Sequence, residues 1–264
     1  MRLLVAYDGS AYVGWQVQPN GPSVQAAIEA AFERLTGSAG RARAASRTDA
    51  GVHALGQVVV LDEPGRHGPE VVRKGLNALL PDDIVVREAE LAPPGFDPRH
   101  SACGKHYRYS FHNDRVPPLF RRGQRWHIRA PLDLESMQRA CAHLQGEHDF
   151  SAFRAAGCEA KSPVRRIDRI GLVRDGSLLA LDVLGRAFLK QMVRNLAGTL
   201  VDVGRGRLSP EGLRGLLLGR DRTRAGRCAP AKGLCLVRVF YEPDAYRRAV
   251  EGEAGPAGGD LFSL

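Results

Sequence analysis

The chain has 264 residues, enough for one or two domains with a substantial apolar core. Apolar residues make up 44% and charged residues 25%, a balance that excludes a disordered chain. No run approaches the ~20 apolar residues that a membrane span needs, and Asp8 interrupts the apolar start too early for a signal peptide. We therefore expect a soluble, cytoplasmic protein.

The charge of the chain is less ordinary. Thirty-eight Lys and Arg residues against 29 Asp and Glu residues give a net charge of +9. Such an excess favours a polyanionic partner, nucleic acid first and an anionic membrane second. A general preference for Arg codons is the alternative, and the richness in Arg, Gly, Ala and Pro fits it. The five cysteines form no Cys-x-x-Cys pair, so we expect reduced thiols.

The first part of the chain alternates strands and helices. We predict strands over residues 2–7, 41–46, 54–61 and 84–91, and helices over residues 23–36 and 70–80. Ser23 is the expected N-cap of the first helix, and Gly37 is expected to end it. The order strand, helix, strand, strand, helix, strand is that of the split βαβ unit.

Residues 92–95 (Ala-Pro-Pro-Gly) predict a domain boundary. Beyond it we predict strands over residues 105–112, 165–173, 178–184 and 233–241, and helices over residues 132–144, 188–203 and 210–218. Asp175 and Gly176 predict the turn of a hairpin. The second part thus repeats the order of the first, with insertions.

The whole pattern predicts an α+β protein of two ferredoxin-like (split βαβ, RRM-like) subdomains. We assign residues 1–95 to the first and residues 96–242 to the second. Their antiparallel sheets are expected to join side by side around a central cleft. Residues 243–264 are rich in Gly, Ala and Glu and are expected to form a flexible tail, with residues 252–259 disordered.

Residues 47–53 (Arg-Thr-Asp-Ala-Gly-Val-His) are the most informative stretch. Asp49 precedes a glycine turn, where the commonest role of an Asp is structural. Arg47, however, lies two residues away in an extended segment, so both side chains are expected to point the same way. A guanidinium group keeps a nearby carboxylate ionised. An ionised carboxylate in a basic cleft is suited to act as a nucleophile or general base without a cofactor.

With these residues the chain resembles the tRNA pseudouridine synthase A family. The shared stretches are residues 7–9, 14–16, 47–53, 56–58, 77–81, 96–102, 107–109, 146–150, 192–195 and 229–234. Each is a weak signal, but together and in order they are highly specific. The chain departs from the family pattern at His100, Lys190, Gln191, Cys228 and Cys235, so details of pocket packing are expected to differ.

The resemblance implies an isomerase that converts uridine to pseudouridine in the anticodon stem-loop of tRNA. It implies that Asp49 is the nucleophile, that Tyr107 stacks on the target base and that Arg194 pairs with the aspartate. Arg47 is assigned to substrate binding. The family acts as a homodimer, uses no cofactor and binds one tRNA across both subunits. The chemistry of the reaction agrees with the lack of a cofactor, since the reaction oxidises nothing and transfers no phosphate.

Structural roles are the alternatives for two of these residues. Tyr107 and Tyr109 share one face of a strand, where a tyrosine is commonly a packing residue. Arg194 falls off the apolar stripe of the helix predicted over residues 188–203, towards small and apolar residues. A buried cation there needs an anionic partner, for which we expect Asp49. An exposed arginine is the alternative.

Further basic residues are candidates for contacts with the phosphate backbone of RNA. They are Arg41, Arg43, Arg99, Lys105, Arg121, Arg122, Arg125, Arg154, Lys161, Arg165 and Arg166. The clustering of these residues within 121–125 and 161–166 distinguishes them from scattered surface charges.

Other activities are less well supported. His100, Cys103, His106 and His112 suggest a metal cluster, but Cys103 and His106 are an odd number of residues apart on a strand and diverge, so we expect no metal. The main rival is a non-catalytic RNA-binding protein, or an inactive paralogue, on the same fold. A flavin- or methyl-donor-dependent uridine-modifying enzyme is a further rival, but the sequence has no Gly-rich cofactor loop.

Overall fold

The computed structural model of the protein describes residues 1–62 and 67–252, and its elements are numbered in chain order. They are β1 (Arg2–Tyr7), α1 (Val24–Thr36), β2 (Ala42–Ala44), β3 (His53–Leu61), α2 (Pro69–Leu79), β4 (Ile84–Glu90), β5 (Gly104–Asn113), β6 (Trp126–Ile128), α3 (Leu134–Leu144), β7 (Gly146–Asp149), β8 (Val164–Asp175), β9 (Leu178–Gly185), α4 (Met192–Gly204), α5 (Pro210–Gly219), β10 (Leu234–Phe240) and α6 (Pro243–Glu251). The predicted α+β class is confirmed.

Contacts divide the chain into two units. The first unit contains residues 1–103 and 235–241, and the second contains residues 104–234 and those from 242 onward. The first unit thus ends eight residues beyond the predicted boundary and takes in most of β10. The predicted subdomain limits, 1–95 and 96–242, remain a prediction.

The sheet of the first unit has the order β4-β1-β3, with antiparallel neighbours. Strand β3 also pairs with β2, antiparallel near its end, and with β10, parallel at its start. Helix α1 begins and ends as the sequence predicts. The Ser23 hydroxyl accepts a hydrogen bond from the Ala26 amide (3.2 Å), and Gly37 ends the helix in a left-handed conformation at φ 73°.

Alternating burial along β1 fixes which face of this sheet is apolar. Leu3 and Val5 are fully buried, as are Ile28 of α1 and Leu76 of α2. Each such side chain contributes about 1.5–3 kcal/mol by leaving water. The apolar spacing of the two helices therefore produces a core on one side of β1 and β3, which holds the segment before β3 in place.

The sheet of the second unit has the order β5-β9-β8-β7, with antiparallel neighbours throughout, and β6 pairs in parallel with the end of β5. The predicted hairpin is confirmed, because Asp175 pairs with Leu178 across a turn in which Gly176 has φ 54°. Strands β6 and β7 were not predicted, since three or four residues carry too little alternation to identify a strand.

Helix α4 is shorter than predicted. The expected helix began at residue 188, but α4 begins at Met192, directly after Gln191, which has φ 59°. A left-handed residue cannot continue a right-handed helix, so Leu189 belongs to the preceding loop. Arg194 is therefore the third residue of α4. The predicted start at residue 188, which would place Arg194 in the second turn, was wrong.

The start of the expected flexible tail is a helix. Residues 243–251 form α6, whose Tyr246 hydroxyl donates a hydrogen bond to Asp168 (2.6 Å) and whose ring lies against Gly104. Of the residues expected to be disordered, 253–259 lie outside the described residues. Among the described residues, the helices are too short or too polar to cross a membrane.

Candidate functional site

Asp49 lies on a tight turn between β2 and β3. The Val52 amide donates a hydrogen bond to the Asp49 carbonyl (3.1 Å), and Gly51 has φ 74°, a conformation that favours glycine. The Asp49 side chain is half-buried and that of Arg47 is exposed, whereas Thr48 between them is buried. This alternation is that of an extended segment, so Thr48 anchors the segment and its two neighbours face outwards.

Gly14 allows a second segment to lie directly against this turn. It pairs with Asp49 in an antiparallel bridge, and the Trp15 amide donates a hydrogen bond to the Thr48 carbonyl (3.0 Å). Gly14 has φ 117°, and a Cβ atom there would lie 2.7 Å from the Thr48 carbonyl oxygen. Only glycine fits both the angle and the space, so the segment at Gly14 and Trp15 holds the backbone of Thr48 and Asp49 in place.

Buried side-chain hydrogen bonds from β1 and β3 also fix the segment that precedes this turn. The hydroxyl groups of Tyr7 and Thr48 lie 2.8 Å apart. Gln57, which is fully buried, donates to the Ser46 carbonyl (2.7 Å) and accepts from the Ser46 amide (3.2 Å). The Gln57 amide group also lies 3.4 Å from the Tyr7 hydroxyl. Strands β1 and β3 thereby position residues 46–48, which precede the carboxylate.

His53 ends the motif in a buried position. Its Nδ1 atom lies 3.1 Å from the Gly9 amide and 3.1 Å from an Asp8 carboxylate oxygen. Nδ1 accepts from Gly9 only when it carries no proton, whereas it pairs with Asp8 only when it does. Burial opposes ionisation of Asp8, but hydrogen bonds from Ser10 and the nearby His53 keep its pKa below the usual range.

In the second unit, the two tyrosines of β5 differ in their surroundings. Tyr109 is fully buried, and its hydroxyl donates to the Pro230 carbonyl (2.7 Å). Burial raises its pKa, and its ring packs against Phe111. Tyr107 is 7% exposed, and its ring meets Phe188 edge to face at 5.2 Å between centroids. Tyr109 is therefore a packing residue, and Tyr107 faces the loop that precedes α4.

Arg194 is joined to the segment before β10. Its Nε donates a hydrogen bond to the Ala229 carbonyl (2.8 Å), and the Ala229 amide donates to the Arg194 carbonyl (3.2 Å). The side chain is half-buried, in the first turn of α4. A cation is disfavoured at a helix N-terminus, because the helix dipole is positive there. The arginine therefore weakens its own helix, which indicates a role other than stabilising α4.

Small residues allow the chain to cross α4 closely at this point. A Cβ atom on Gly198 would lie 1.8 Å from the Arg227 carbonyl oxygen, and one on Gly226 would lie 2.7 Å from the Thr199 Cα. Asn195, also on α4, is fully buried and donates to the Phe153 carbonyl (2.8 Å). These contacts hold the carbonyl of Ala229 where Arg194 meets it.

A half-buried ion-pair cluster lies on the face of β5 opposite to Tyr107 and Tyr109. Asp182 on β9 accepts hydrogen bonds from Arg108 Nε (2.8 Å) and Nη2 (3.0 Å), and its Oδ1 lies 2.7 Å from His106 Nε2. Burial raises the pKa of Asp182, but the His106 and Arg108 contacts outweigh it and lower this pKa to about 2. The charged cluster is thus a stabilising feature of this sheet.

The expected site residues fall in both units, Arg47 and Asp49 in the first and Tyr107 and Arg194 in the second. Within residues 1–62 and 67–252, no three His, Cys, Asp or Glu side chains are grouped closely enough to hold a metal ion. No role was predicted for Tyr7, Gly14 or Gln57. All three lie in stretches that carry the family resemblance, and this resemblance was the one signal in the sequence that could have pointed to them.

The geometry defines an α+β protein with a carboxylate fixed on a glycine turn. A family model described as tRNA pseudouridine synthase matches residues 3–100 and 140–242, which is more than half of the chain. The chain therefore belongs to the tRNA pseudouridine synthase family, whose members are isomerases.

Curated relatives match along nearly their whole length. A protein of Geotalea uraniireducens named tRNA pseudouridine synthase A is 49% identical over 243 residues, covering 91% of this chain and 99% of the relative. A protein of the same name from Geotalea daltonii is 46% identical, over 91% of this chain and 99% of the relative. Another, from Myxococcus xanthus, is 49% identical, over 91% of this chain and 91% of the relative.

Proposed function

We propose that the protein isomerises uridine to pseudouridine in the anticodon stem-loop of tRNA, with Asp49 as the nucleophile. The supporting observation is the setting of Asp49, whose carbonyl accepts a hydrogen bond from the Val52 amide and which bridges to Gly14, while the residue stays half-buried. A nucleophile fixed before the substrate arrives loses little entropy when it reacts.

The reaction needs few chemical groups. The bond between N1 of uracil and C1′ of the ribose breaks, the base turns, and a bond from C5 to C1′ forms. The C5 proton leaves to solvent and N1 gains one, so product and substrate have the same composition. Asp49 is regenerated, and the step requires neither an oxidant nor a group donor. We therefore propose catalysis without a cofactor.

The other predicted residues have supporting roles in this proposal. The target uridine must leave its stack, at a cost of a few kcal/mol that contacts with the protein offset. Tyr107 stacks on the extruded base, a contact that contributes roughly 1–3 kcal/mol. Arg194 is the cation that the family resemblance assigns to Asp49. Arg47, exposed two residues before Asp49, binds the substrate.

We also propose the arrangement that the family resemblance implies. The chain has two ferredoxin-like subdomains, residues 1–95 and 96–242, and the first of them carries Asp49. Two copies of the chain form a homodimer that binds one tRNA, and the protein acts in the cytoplasm. The net charge of +9 supports binding to a polyanion.

Tritium release tests the proposed function. Purified protein is mixed with tRNA that carries [5-³H]uridine and with no added cofactor, and the released tritium is counted. We expect one tritium released for each uridine converted, and carbodiimide-directed primer extension then maps the products to the anticodon stem-loop. Tight tRNA binding without release would contradict the proposal and favour the RNA-binding protein without catalysis.

A further inference from the structure

The loop between β5 and β6, residues 114–125, has an unusual composition. It contains four Arg residues and one acidic residue, Asp114. It also exposes large apolar side chains: Val116 is 68% exposed, Leu119 76% and Phe120 81%. Among the residues that the structure describes, Phe120 is the one exposed aromatic side chain. We call this segment the β5–β6 loop.

Hydrogen bonds at both ends hold the β5–β6 loop in shape. The Val116 amide donates to the Asp114 carboxylate (2.9 Å), and His127 Nε2 lies 2.9 Å from the Asp114 carbonyl oxygen. The Gln124 amide donates to the Arg121 carbonyl (3.0 Å), which closes a turn in which Arg121 has φ 59°. Phe120 is therefore presented to solvent by an ordered turn, which lowers the entropy lost on binding.

The loop is joined to the part of the second unit that contacts β5. Lys232 Nζ donates a hydrogen bond to the Arg122 carbonyl (2.9 Å). Two residues earlier, the Pro230 carbonyl accepts the hydroxyl of Tyr109, which is two residues from Tyr107 on the same strand. A ligand on the β5–β6 loop is thereby linked to the strand that carries the proposed base-stacking tyrosine.

Charge selects the kind of ligand. Burial, together with the neighbouring Arg121 guanidinium, lowers the pKa of Arg125. Several cations in one place increase the affinity of this loop for a polyanion. An aromatic ring beside such cations is the combination that binds single-stranded nucleic acid, because the ring stacks on bases while the cations bind phosphates.

We propose that the β5–β6 loop binds RNA, with Phe120 stacked on an unpaired nucleobase and Arg121 and Arg122 on the adjoining phosphates. The inference rests on the proposed function, which supplies a tRNA hairpin as the ligand. It adds a base contact on a loop whose arginines were predicted, from their clustering in the sequence, only as candidates for phosphate contacts.

A second copy of the chain is the competing occupant of this surface. In a two-fold symmetric dimer, a patch near the axis meets the same patch of its partner. The β5–β6 loop would then bring four Arg residues of one copy against four of the other, a like-charge arrangement that disfavours pairing. The charge of the loop therefore favours RNA.

Substitutions at Phe120 separate stacking from simple apolar contact. We would prepare Phe120→Ala, Phe120→Leu and Phe120→Trp, each combined with Asp49→Asn so that the RNA is not converted. Leu218→Ala is the control, since Leu218 is 68% exposed on α5. Affinities are measured for an RNA hairpin with an unpaired loop and for a fully paired duplex of the same length.

Stacking on an unpaired base predicts that the Ala and Leu variants bind the hairpin about tenfold more weakly, within the range for one stacked base. The Trp variant should bind within about twofold of the parent, and no variant should change duplex affinity. Arg122→Gln should reduce the slope of log affinity against log salt by about 1. The Leu218 control should leave every value unchanged.

Three results would overturn the inference. Normal hairpin binding by Phe120→Ala excludes the base contact, and full recovery by Phe120→Leu excludes stacking. If Phe120→Ala converts a dimer to monomers in sedimentation experiments, a second copy occupies the surface. A parallel tritium assay with wild-type protein keeps the two proposals apart. If wild-type protein releases no tritium but hairpin binding still depends on Phe120, only the proposed function is contradicted.

Discussion

The hydroxyl groups of Tyr7 and Thr48 form a buried hydrogen bond of 2.8 Å. It joins the end of β1 to the residue that precedes Asp49. Because Thr48 is buried while Asp49 is half-buried, this bond sets the direction in which the next side chain leaves the backbone. The reactivity of the carboxylate is therefore expected to depend on a tyrosine that touches neither substrate nor carboxylate in the proposed mechanism.

Tyr7→Phe should slow tritium release about tenfold while tRNA affinity stays within about twofold. Loss of the hydrogen bond should also lower the free energy of unfolding by about 1 kcal/mol. Tyr12→Phe is the matched control, because it loses a hydrogen bond of 2.6 Å to Asp83 in the same unit. Its stability should fall similarly without a change in rate. Equal rates for the two variants would show that Tyr7 acts on stability alone.

Gly14→Ala should disturb the same turn from the opposite side. The new Cβ atom would lie 2.7 Å from the Thr48 carbonyl oxygen, at a φ of 117° that alanine rarely adopts. We expect a loss of about 1–3 kcal/mol in the free energy of unfolding and a large loss of tritium release. Gly215→Ala is the control, since Gly215 has open space around it in α5. It should be neutral or stabilise by up to about 1 kcal/mol. Wild-type stability in the Gly14 variant would be inconsistent with the close approach.

Arg194→Lys keeps the charge but removes the Nε donor that binds the Ala229 carbonyl. We expect tRNA affinity within about twofold and a decrease of at least about tenfold in tritium release, because the fixed fork of arginine is lost. The exposed Arg214 on α5 supplies the control Arg214→Lys, which should be silent. Wild-type turnover by the Lys variant would leave Arg194 with a structural role only.

The Asp182 cluster predicts how stability depends on pH. The pKa of Asp182, about 2 in the folded protein, lies below the usual value of about 3.9. Its carboxylate therefore contributes stability above about pH 4, and this contribution is lost as the pH falls towards 2. Asp182→Asn leaves Arg108, whose side chain is 9% exposed, without its carboxylate. We expect a loss of about 3 kcal/mol at pH 7.

Urea denaturation at pH 7, 5, 4 and 3 measures this effect. The difference between wild type and Asp182→Asn should stay constant down to about pH 4 and shrink below it, as the wild-type carboxylate takes up its proton. Asp244→Asn, in an exposed pair with Arg247, should show no such dependence. A difference that does not change with pH would mean that charge at Asp182 is not what stabilises the cluster.

Much of the fold follows from local patterns. Ser23 and Gly37 bound α1 as predicted, because caps act through neighbouring backbone groups and are visible in the sequence. The Asp175-Gly176 hairpin has the same local basis. The start of α4 was missed because Gln191 has a left-handed conformation (φ 59°), which no local pattern in the sequence marks. Helix α6 was missed because its docking through Tyr246 is a long-range contact.

The site was predictable only in part. Residues 47–53 stood out because a carboxylate, a cation and a glycine turn are adjacent in the sequence. The contacts that hold them were not visible, since Tyr7, Gly14 and Gln57 meet the motif only after β1 and β3 pair. Residues 226–229 can cross α4 closely only because residue 198 is a glycine. In the sequence, Gly198 looks like any other small residue of a helix, so this contact was not predictable.

The direct test of the central claim is tritium release by Asp49→Asn, with tRNA affinity measured on the same preparation. Asp62→Asn, which removes another acid of the first unit, serves as the matched control. We expect no release by Asp49→Asn, tRNA affinity close to wild type, and normal release by the control. Release at the wild-type rate by Asp49→Asn would contradict the claim that this carboxylate is the nucleophile.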